Sequence, residues 1–201
     1  MVTEKVRSNR AGRGRPGARR RPVGMPKPRA PRRRHSPFEE EWEAFKDEVL
    51  SNIRASANSV RGAKIAPFHR TDSILKRMVY RFVIKYRYTN SYKYIEKAIS
   101  DDRDSGRALR ISFEENPFHW ILFGLKDHVR ILGKFEISKT DITRFSAQLL
   151  YADRHRIGEE LLIGFLLQSG TLTEVCRKAK DPDCREDWYI AKIKAGEGSQ
   201  P

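Results

Sequence analysis

The stretch 36–53, SPFEEEWEAFKDEVLSNI, decides the fold class, because a helix-start signal is followed there by an amphipathic pattern. Ser36 is a candidate N-cap, Pro37 suits the first helical position, and Glu39 stands three residues after the cap. Apolar side chains then recur every three or four residues along one helix face: Phe38, Trp42, Phe45, Val49 and Ile53. The stretch therefore predicts a helix that opens a folded domain.

The opposite face of this predicted helix is acidic. Lys46 is the single cation among its six carboxylates, which are Glu39, Glu40, Glu41, Glu43, Asp47 and Glu48. Acidic residues in the first turns suit the positive end of the helix dipole, so a solvated face is the simple interpretation. The alternative is that this face binds the basic segment before it, in the same chain or a neighbouring one, in competition with an anionic ligand.

Further helix signals follow along the chain. Helices can start at Thr71-Asp72, Asn116-Pro117, Ser138-x-x-Asp141 and Thr171-x-x-Glu174. Residues 160–168 are apolar on all sides, which predicts the central helix of the core. Residues 107–113 and 129–137 alternate loosely, which is compatible with a short two-strand element. We expect a mainly α fold over 36–195, a compact domain of about six to seven helices, with a disordered tail at 196–201.

Residues 1–35 differ in composition from all that follows. They contain 13 Lys and Arg and one acidic residue, a net charge of +12, whereas the other 166 residues contain 28 and 25, a net charge of +3. Six of the ten prolines lie at or before Pro37, and large apolar residues are few. Such a segment buries too little apolar surface to offset the entropy of ordering it, so we expect a disordered basic arm.

Arginine outnumbers lysine by 11 to 2 in this arm. A guanidinium group pairs bidentately with phosphate and stacks on bases, whereas an ammonium group acts as a point charge. Neutralising phosphates releases counterions, which makes binding tight, salt-sensitive and largely independent of sequence. The arm therefore predicts nucleic-acid binding, RNA before DNA, through Arg13, Arg15, Arg19, Arg20, Arg21, Lys27, Arg29, Arg32, Arg33 and Arg34.

The arm allows two other interpretations. Its triplets at 19–21 and 32–34 are separated by ten residues and resemble a bipartite nuclear import signal, which would make an import receptor the partner. Contact with an acidic protein or an anionic membrane is the third. Import and RNA binding are compatible with each other.

A second candidate surface lies in the folded domain. Arg77, Arg81 and Lys85 are spaced by four and share a helix face, and further cations nearby are interleaved with tyrosines. Cations position phosphates, while tyrosine rings stack on unpaired bases. The alternative is a core helix with cations that extend to solvent. The predicted nucleic-acid contacts of the domain are Arg77, Arg81, Lys85, Tyr86, Arg87, Tyr88, Lys93 and Lys97.

Catalytic, metal and membrane signals are weak. The G-x-G-x-x-G match at 12–17 has no preceding strand and is broken by proline, so no dinucleotide cofactor is predicted. Cys176 and Cys184 have no partner pair at ligand spacing, so no metal is predicted either. His119 and His128 are the best candidates for acid–base cleavage of RNA, but we expect no enzyme. No apolar run reaches 18 residues and no secretion signal follows Met1, so nucleus or cytoplasm fits better than secretion or a membrane.

These patterns together predict a non-enzymatic RNA-binding protein of nucleocapsid or RNA-packaging type, such as viruses encode. The arm would bind phosphates without sequence choice, and the helical domain would provide self-association or selectivity. The alternative is a nuclear interaction adapter whose arm is mainly an import signal. DNA stays open as a ligand, and the identity of the RNA is also open.

Overall fold

The computed structural model describes residues 37–59, 65–87, 92–101, 111–129 and 135–190. This part of the chain is mainly helical, which confirms the predicted fold class. Its α-helices, joined by loops and two short 3-10 turns, are α1 (Pro37–Ser59), α2 (Thr71–Arg87), α3 (Tyr92–Asp101), α4 (Pro117–Leu125), α5 (Lys139–Arg154), α6 (Leu162–Gln168) and α7 (Leu172–Lys180), and residues 187–190 are helical as well. The predicted arm and C-terminal tail lie outside the described residues.

Helices α1 and α2 pack through the apolar faces that the sequence predicted. Trp42, Phe45, Val49 and Ile53 of α1 are all buried. The rings of Phe45 and Phe82 stack with centroids 4.0 Å apart, and Trp42 lies 5.9 Å from the same Phe82 ring. Because aromatic rings bury large areas, this cluster fixes the two helices against each other.

Helix α4 packs against α2, α3 and α5. Five of its nine residues are buried: Phe118, Trp120, Ile121, Leu122 and Leu125. At Gly124 a Cβ atom would lie 2.9 Å from Cζ2 of Trp42 and 3.3 Å from Ile99, so only glycine allows this close approach to α1 and α3. The prediction that residues 160–168 form the central helix is wrong. Helix α6 buries one side only, and its flanking residues Leu161 and Leu167 are 63% and 54% exposed.

Helix starts follow the local capping signals. The Asn116 side chain accepts a hydrogen bond from the backbone N–H of His119. Ser138 with Asp141, and Thr171 with Glu174, form complete capping boxes at α5 and α7. These pairs satisfy backbone donors that the first turn leaves without partners, so local sequence is sufficient to place the starts.

The two-strand element does not form among the described residues. Ser112 and Glu115 exchange backbone-to-side-chain hydrogen bonds of 3.1 Å, which close a turn instead of extending a strand. Residues 136 and 137 are coil, and Phe135 makes only an isolated bridge. The remaining parts of the two predicted strands, 107–110 and 130–134, lie outside the description.

The C-terminal segment 184–190 is attached to α5 and α7 by a partly buried polar cluster around Glu186. The Tyr151 hydroxyl and the Lys178 ammonium each donate to Oε1 of Glu186 at 2.8 Å. The backbone N–H of Glu186 donates to Nε2 of His155 at 3.1 Å, and Nδ1–H of His155 donates to the Tyr151 carbonyl at 2.8 Å. This arrangement requires a neutral His155, and burial lowers the pKa of its imidazole.

In the described part of the chain, none of the helices combines the length and the apolar character needed to cross a membrane.

Candidate nucleic-acid interface

The cations predicted to bind nucleic acid on α2 face the acidic side of α1. Arg81 donates from Nη2 to Oε1 of Glu48 at 2.7 Å, and its Nη1 lies 3.8 Å from Oε1 of Glu159. The Lys85 ammonium forms an ion pair with Glu41. Because Glu41 meets Lys85 and Glu48 meets Arg81, the two helices run antiparallel, and the acidic and basic patterns neutralise each other. We call Glu41–Lys85 and Glu48–Arg81 the α1–α2 ion pairs.

These pairs are on the surface. The Arg81 and Lys85 side chains are 49% and 62% exposed. Exposed pairs of this kind contribute only about 0–1 kcal/mol each to stability. The Lys85 hydrogen bond lowers the pKa of Glu41, and the same contact raises the pKa of Lys85. Their main effect is therefore on the local charge, since each cation has an anion within contact distance.

Arg77, the third cation of this face, has a different environment. Its side chain is half-buried, and Nη2 donates to the Phe68 carbonyl oxygen at 3.5 Å. Its Nε atom is buried without a hydrogen-bond partner in the described part of the chain. Arg77 also lines a shallow cavity of about 160 Å³ together with Glu48, Arg81 and Glu159. Part of this guanidinium group is thus enclosed by protein.

Tyr86 belongs to the core and does not offer a free ring face. It is only 6% exposed, and its ring centroid lies 4.8 Å from that of Phe82. Burial raises the pKa of its phenol, with Glu41 acting in the same direction. Among the described tyrosines, Tyr94 on α3 is the exposed one, at 58%.

The other predicted site residues are more scattered. Lys93 and Lys97 are exposed on α3, a helix that packs mainly against α1 and α4. The Arg87 side chain, Tyr88 and every predicted arm residue lie outside what the structure describes. The structure therefore brings Arg77, Arg81 and Lys85 together on α2 and places the α3 lysines on a separate helix.

The acidic face of α1 is largely engaged within the domain. Glu43 pairs with the buried Lys46 at 2.8 Å, and Asp47 lies 3.6 Å from Nε2 of His128. With the α1–α2 ion pairs, four of its six carboxylates have a basic side chain nearby. An arm that bound this face would therefore have to displace these internal contacts.

Sequence analysis missed a second group of cations, on α5 and α7. Arg144, Arg177 and Lys180 are exposed. Arg177 and Lys180 are three residues apart, a spacing that could have placed them on one helix face. Only the packing of α7 along α5 brings Arg144 to the same region. We call these three residues the α5–α7 cations.

The two candidate catalytic histidines each lie beside a polar side chain of another helix. Nδ1 of His119 lies 3.4 Å from Oγ of Ser146, and burial lowers the pKa of His119. His128 lies near Asp47 at a distance too long for a hydrogen bond. Within the described ranges, no group of three or more His, Cys, Asp or Glu side chains could hold a metal ion.

The chain matches no protein-family model, and no curated protein or solved structure is significantly similar to it.

Proposed function

We propose that this protein is a non-enzymatic RNA-binding protein of nucleocapsid or RNA-packaging type, acting in the nucleus, the cytoplasm or a virus particle. Residues 1–35 bind phosphates without sequence choice, and the helical domain provides assembly or selectivity. One observation carries the proposal: the arm has a net charge of +12, against +3 for the other 166 residues. A polyanion is the ligand that such an asymmetry favours.

The geometry of the domain supports this division of labour. Arg81 and Lys85 must exchange a carboxylate for a phosphate in order to bind RNA, so they gain little from it. The arm has one acidic residue among its 13 cations and cannot be neutralised from within. Most of the affinity and most of the salt dependence are therefore assigned to residues 1–35.

Deletion of residues 1–35 tests the proposal directly. We expect the full chain to bind a labelled oligouridylate with a log–log salt slope of about −7 if the ten named arm cations each contact a phosphate. The truncated protein should lose most of this affinity and most of the slope. Fluorescence anisotropy across a salt series measures both. An unchanged affinity in the truncated protein would contradict the proposal.

Assembly of the domain is part of the same proposal. Exposed apolar side chains border a groove of about 430 Å³ beside α6, among them Phe68, Leu161 and Trp188. Exposed apolar patches mark interaction sites more often than isolated apolar residues do. We expect light scattering to show self-association of the full chain that Leu161→Ser weakens, and a monomer with or without RNA would remove assembly from the proposal.

The nuclear adapter remains a second candidate, favoured by the two arginine triplets ten residues apart. Import signals are rich in either lysine or arginine, whereas bidentate phosphate contacts and base stacking need arginine. Replacing all six triplet arginines by lysine should therefore preserve import of a fused reporter but weaken RNA binding. RNA binding that is weak in the wild type and unaffected by the exchange would favour the adapter.

A further inference from the structure

Within the described ranges, the α5–α7 cations differ from Arg81 and Lys85 of α2 in forming no ion pair with a carboxylate. In the described residues, none of Arg144, Arg177 and Lys180 has an acidic group within ion-pair distance. The nearest acids along their own helices, Asp141 and Glu174, accept hydrogen bonds from the N-cap residues of α5 and α7. Those carboxylates are engaged at the helix starts and form no ion pair with the cations, although the Thr171 hydrogen bonds and Arg177 act together to lower the pKa of Glu174.

Three helices bring positive charge to one place on this surface. Cys176 of α7 donates from Sγ to the Arg144 carbonyl oxygen of α5 at 3.5 Å. The Lys76 ammonium of α2 lies 4.3 Å from the ring centroid of Phe145, the residue after Arg144. Burial raises the pKa of the Cys176 thiol, while Arg144, Lys76 and Lys180 act to lower it. Those three charges are therefore all close to Cys176.

The cations of this region differ in burial and therefore in access to a ligand. Lys76 is buried and pairs with Asp72 at 3.1 Å, so it adds little net charge to this surface. Arg144, Arg177 and Lys180 are exposed and can reach a ligand directly. A phosphate that binds them displaces water and counterions, with no protein carboxylate to remove first.

We propose that the α5–α7 cations form a phosphate-binding surface through which the folded domain holds the RNA backbone. This inference rests on the proposed function and assigns the domain's share of the binding to α5 and α7 in place of α2. Two guanidinium groups and one ammonium group suit successive phosphates of a single strand, and they read no base edges. The surface adds affinity without sequence preference.

A pair of matched double variants of the full chain tests this assignment. Arg144→Gln/Lys180→Gln removes one arginine and one lysine from the α5–α7 cations, and Arg81→Gln/Lys85→Gln removes the same two residue types from the α1–α2 ion pairs. Both variants lower the net charge equally, so a long-range effect of charge is the same in each. We expect the first to weaken binding of a labelled oligouridylate on the order of tenfold and to reduce the salt slope by about 1.4. The second should leave the slope nearly unchanged.

The outcomes separate the two proposals. If the wild type does not bind the oligouridylate, the proposed function itself fails. If the wild type binds and both double variants lose the same affinity and slope, the function stands and the α5–α7 assignment is overturned. Arg144→Lys/Lys180→Arg conserves the charge and should bind nearly as the wild type does. The circular dichroism melts of both α5–α7 variants should coincide with that of the wild type, and a lowered melting temperature of Arg144→Gln/Lys180→Gln would count against a surface role.

Discussion

The basic residues of α2 and those of α5 and α7 carry the same kinds of charge but have opposite surroundings in the fold. On α2, Arg81 and Lys85 each contact a carboxylate of α1, whereas Arg144, Arg177 and Lys180 have no such contact within the described residues. The number of cations on a helix therefore does not report how much positive charge a ligand encounters. Availability depends on which helix packs opposite, because antiparallel packing can align an acidic face with a basic one.

The largest expected effect comes from breaking the packing that aligns α1 with α2. Trp42 is 1% exposed and contacts Phe45 and Phe82, so Trp42→Ala should lower the free energy of unfolding by about 3–5 kcal/mol. Urea denaturation followed by circular dichroism measures the change. Trp188→Ala is the matched control, because Trp188 is 39% exposed and should cost less. Equal losses in the two variants would show that the Trp42 cluster is not what fixes these helices.

A change of pH tests how much the hydrogen bond between His155 of α5 and the segment 184–190 contributes to the stability of the domain. Burial holds the pKa of His155 below its ordinary 6.5, so its contribution to stability is complete above pH 6.5. The contribution is lost as the pH falls from 6.5 through the lower folded-state pKa, because protonated Nε2 cannot accept from the Glu186 N–H. Arg154, Arg185 and Glu186 supply the charges around His155, and Lys178 contacts Glu186.

The control for this prediction is His155→Gln. It should cost about 1–3 kcal/mol at neutral pH through the unpaired Glu186 N–H, and it should flatten the decline of stability below pH 6.5. Chemical denaturation from pH 7.5 to 5 measures this decline. The pKa of His119 is lowered too, so His119 also makes stability decline as the pH falls, and His119→Gln measures its part of that decline. A decline that persists unchanged in His155→Gln would exclude His155 as its source.

The local signals in the sequence were sufficient for much of the fold. Asn116, Ser138 and Thr171 placed three helix starts, because a cap and its partner lie within three residues. The burial of Trp42 and its neighbours followed from their periodicity. The exposed side of α6 could not be predicted, because which face of an apolar stretch is buried depends on the elements that pack against it.

The candidate site was harder to predict than the fold. The sequence identified Arg81 and Lys85 as cations on one helix face and Glu41 and Glu48 on another. Their mutual pairing needs the antiparallel register of α1 and α2, which no local pattern contains. Tyr86 shows the same difficulty, because a tyrosine among lysines looks exposed until the packing of Phe82 is known.

The smallest expected effect comes from removing the carboxylate partner of one α2 cation, which makes α2 more like the α5–α7 cations. Glu48→Gln releases Arg81 from its 2.7 Å contact and should raise oligouridylate affinity a few-fold, with a stability change within about 1 kcal/mol. Anisotropy titration measures the affinity. Glu40→Gln removes the same charge from an exposed α1 residue, without an ion pair in the described part of the chain. Equal gains in both variants would mean that only net charge matters and that the pairing of Arg81 does not.

Gly124 places a steric condition on this electrostatic balance. Trp42 and Ile99 leave no room for a Cβ atom there, so the approach of the Trp42 side chain of α1 to α4 depends on glycine at this position. The distance from Glu41 and Glu48 to the cations of α2 is set by the position of α1. An uncharged residue away from the surface thus influences how closely the carboxylates of α1 approach the cations of α2. Volume at position 124 is therefore a way to adjust ionic behaviour without altering the number of ionisable groups.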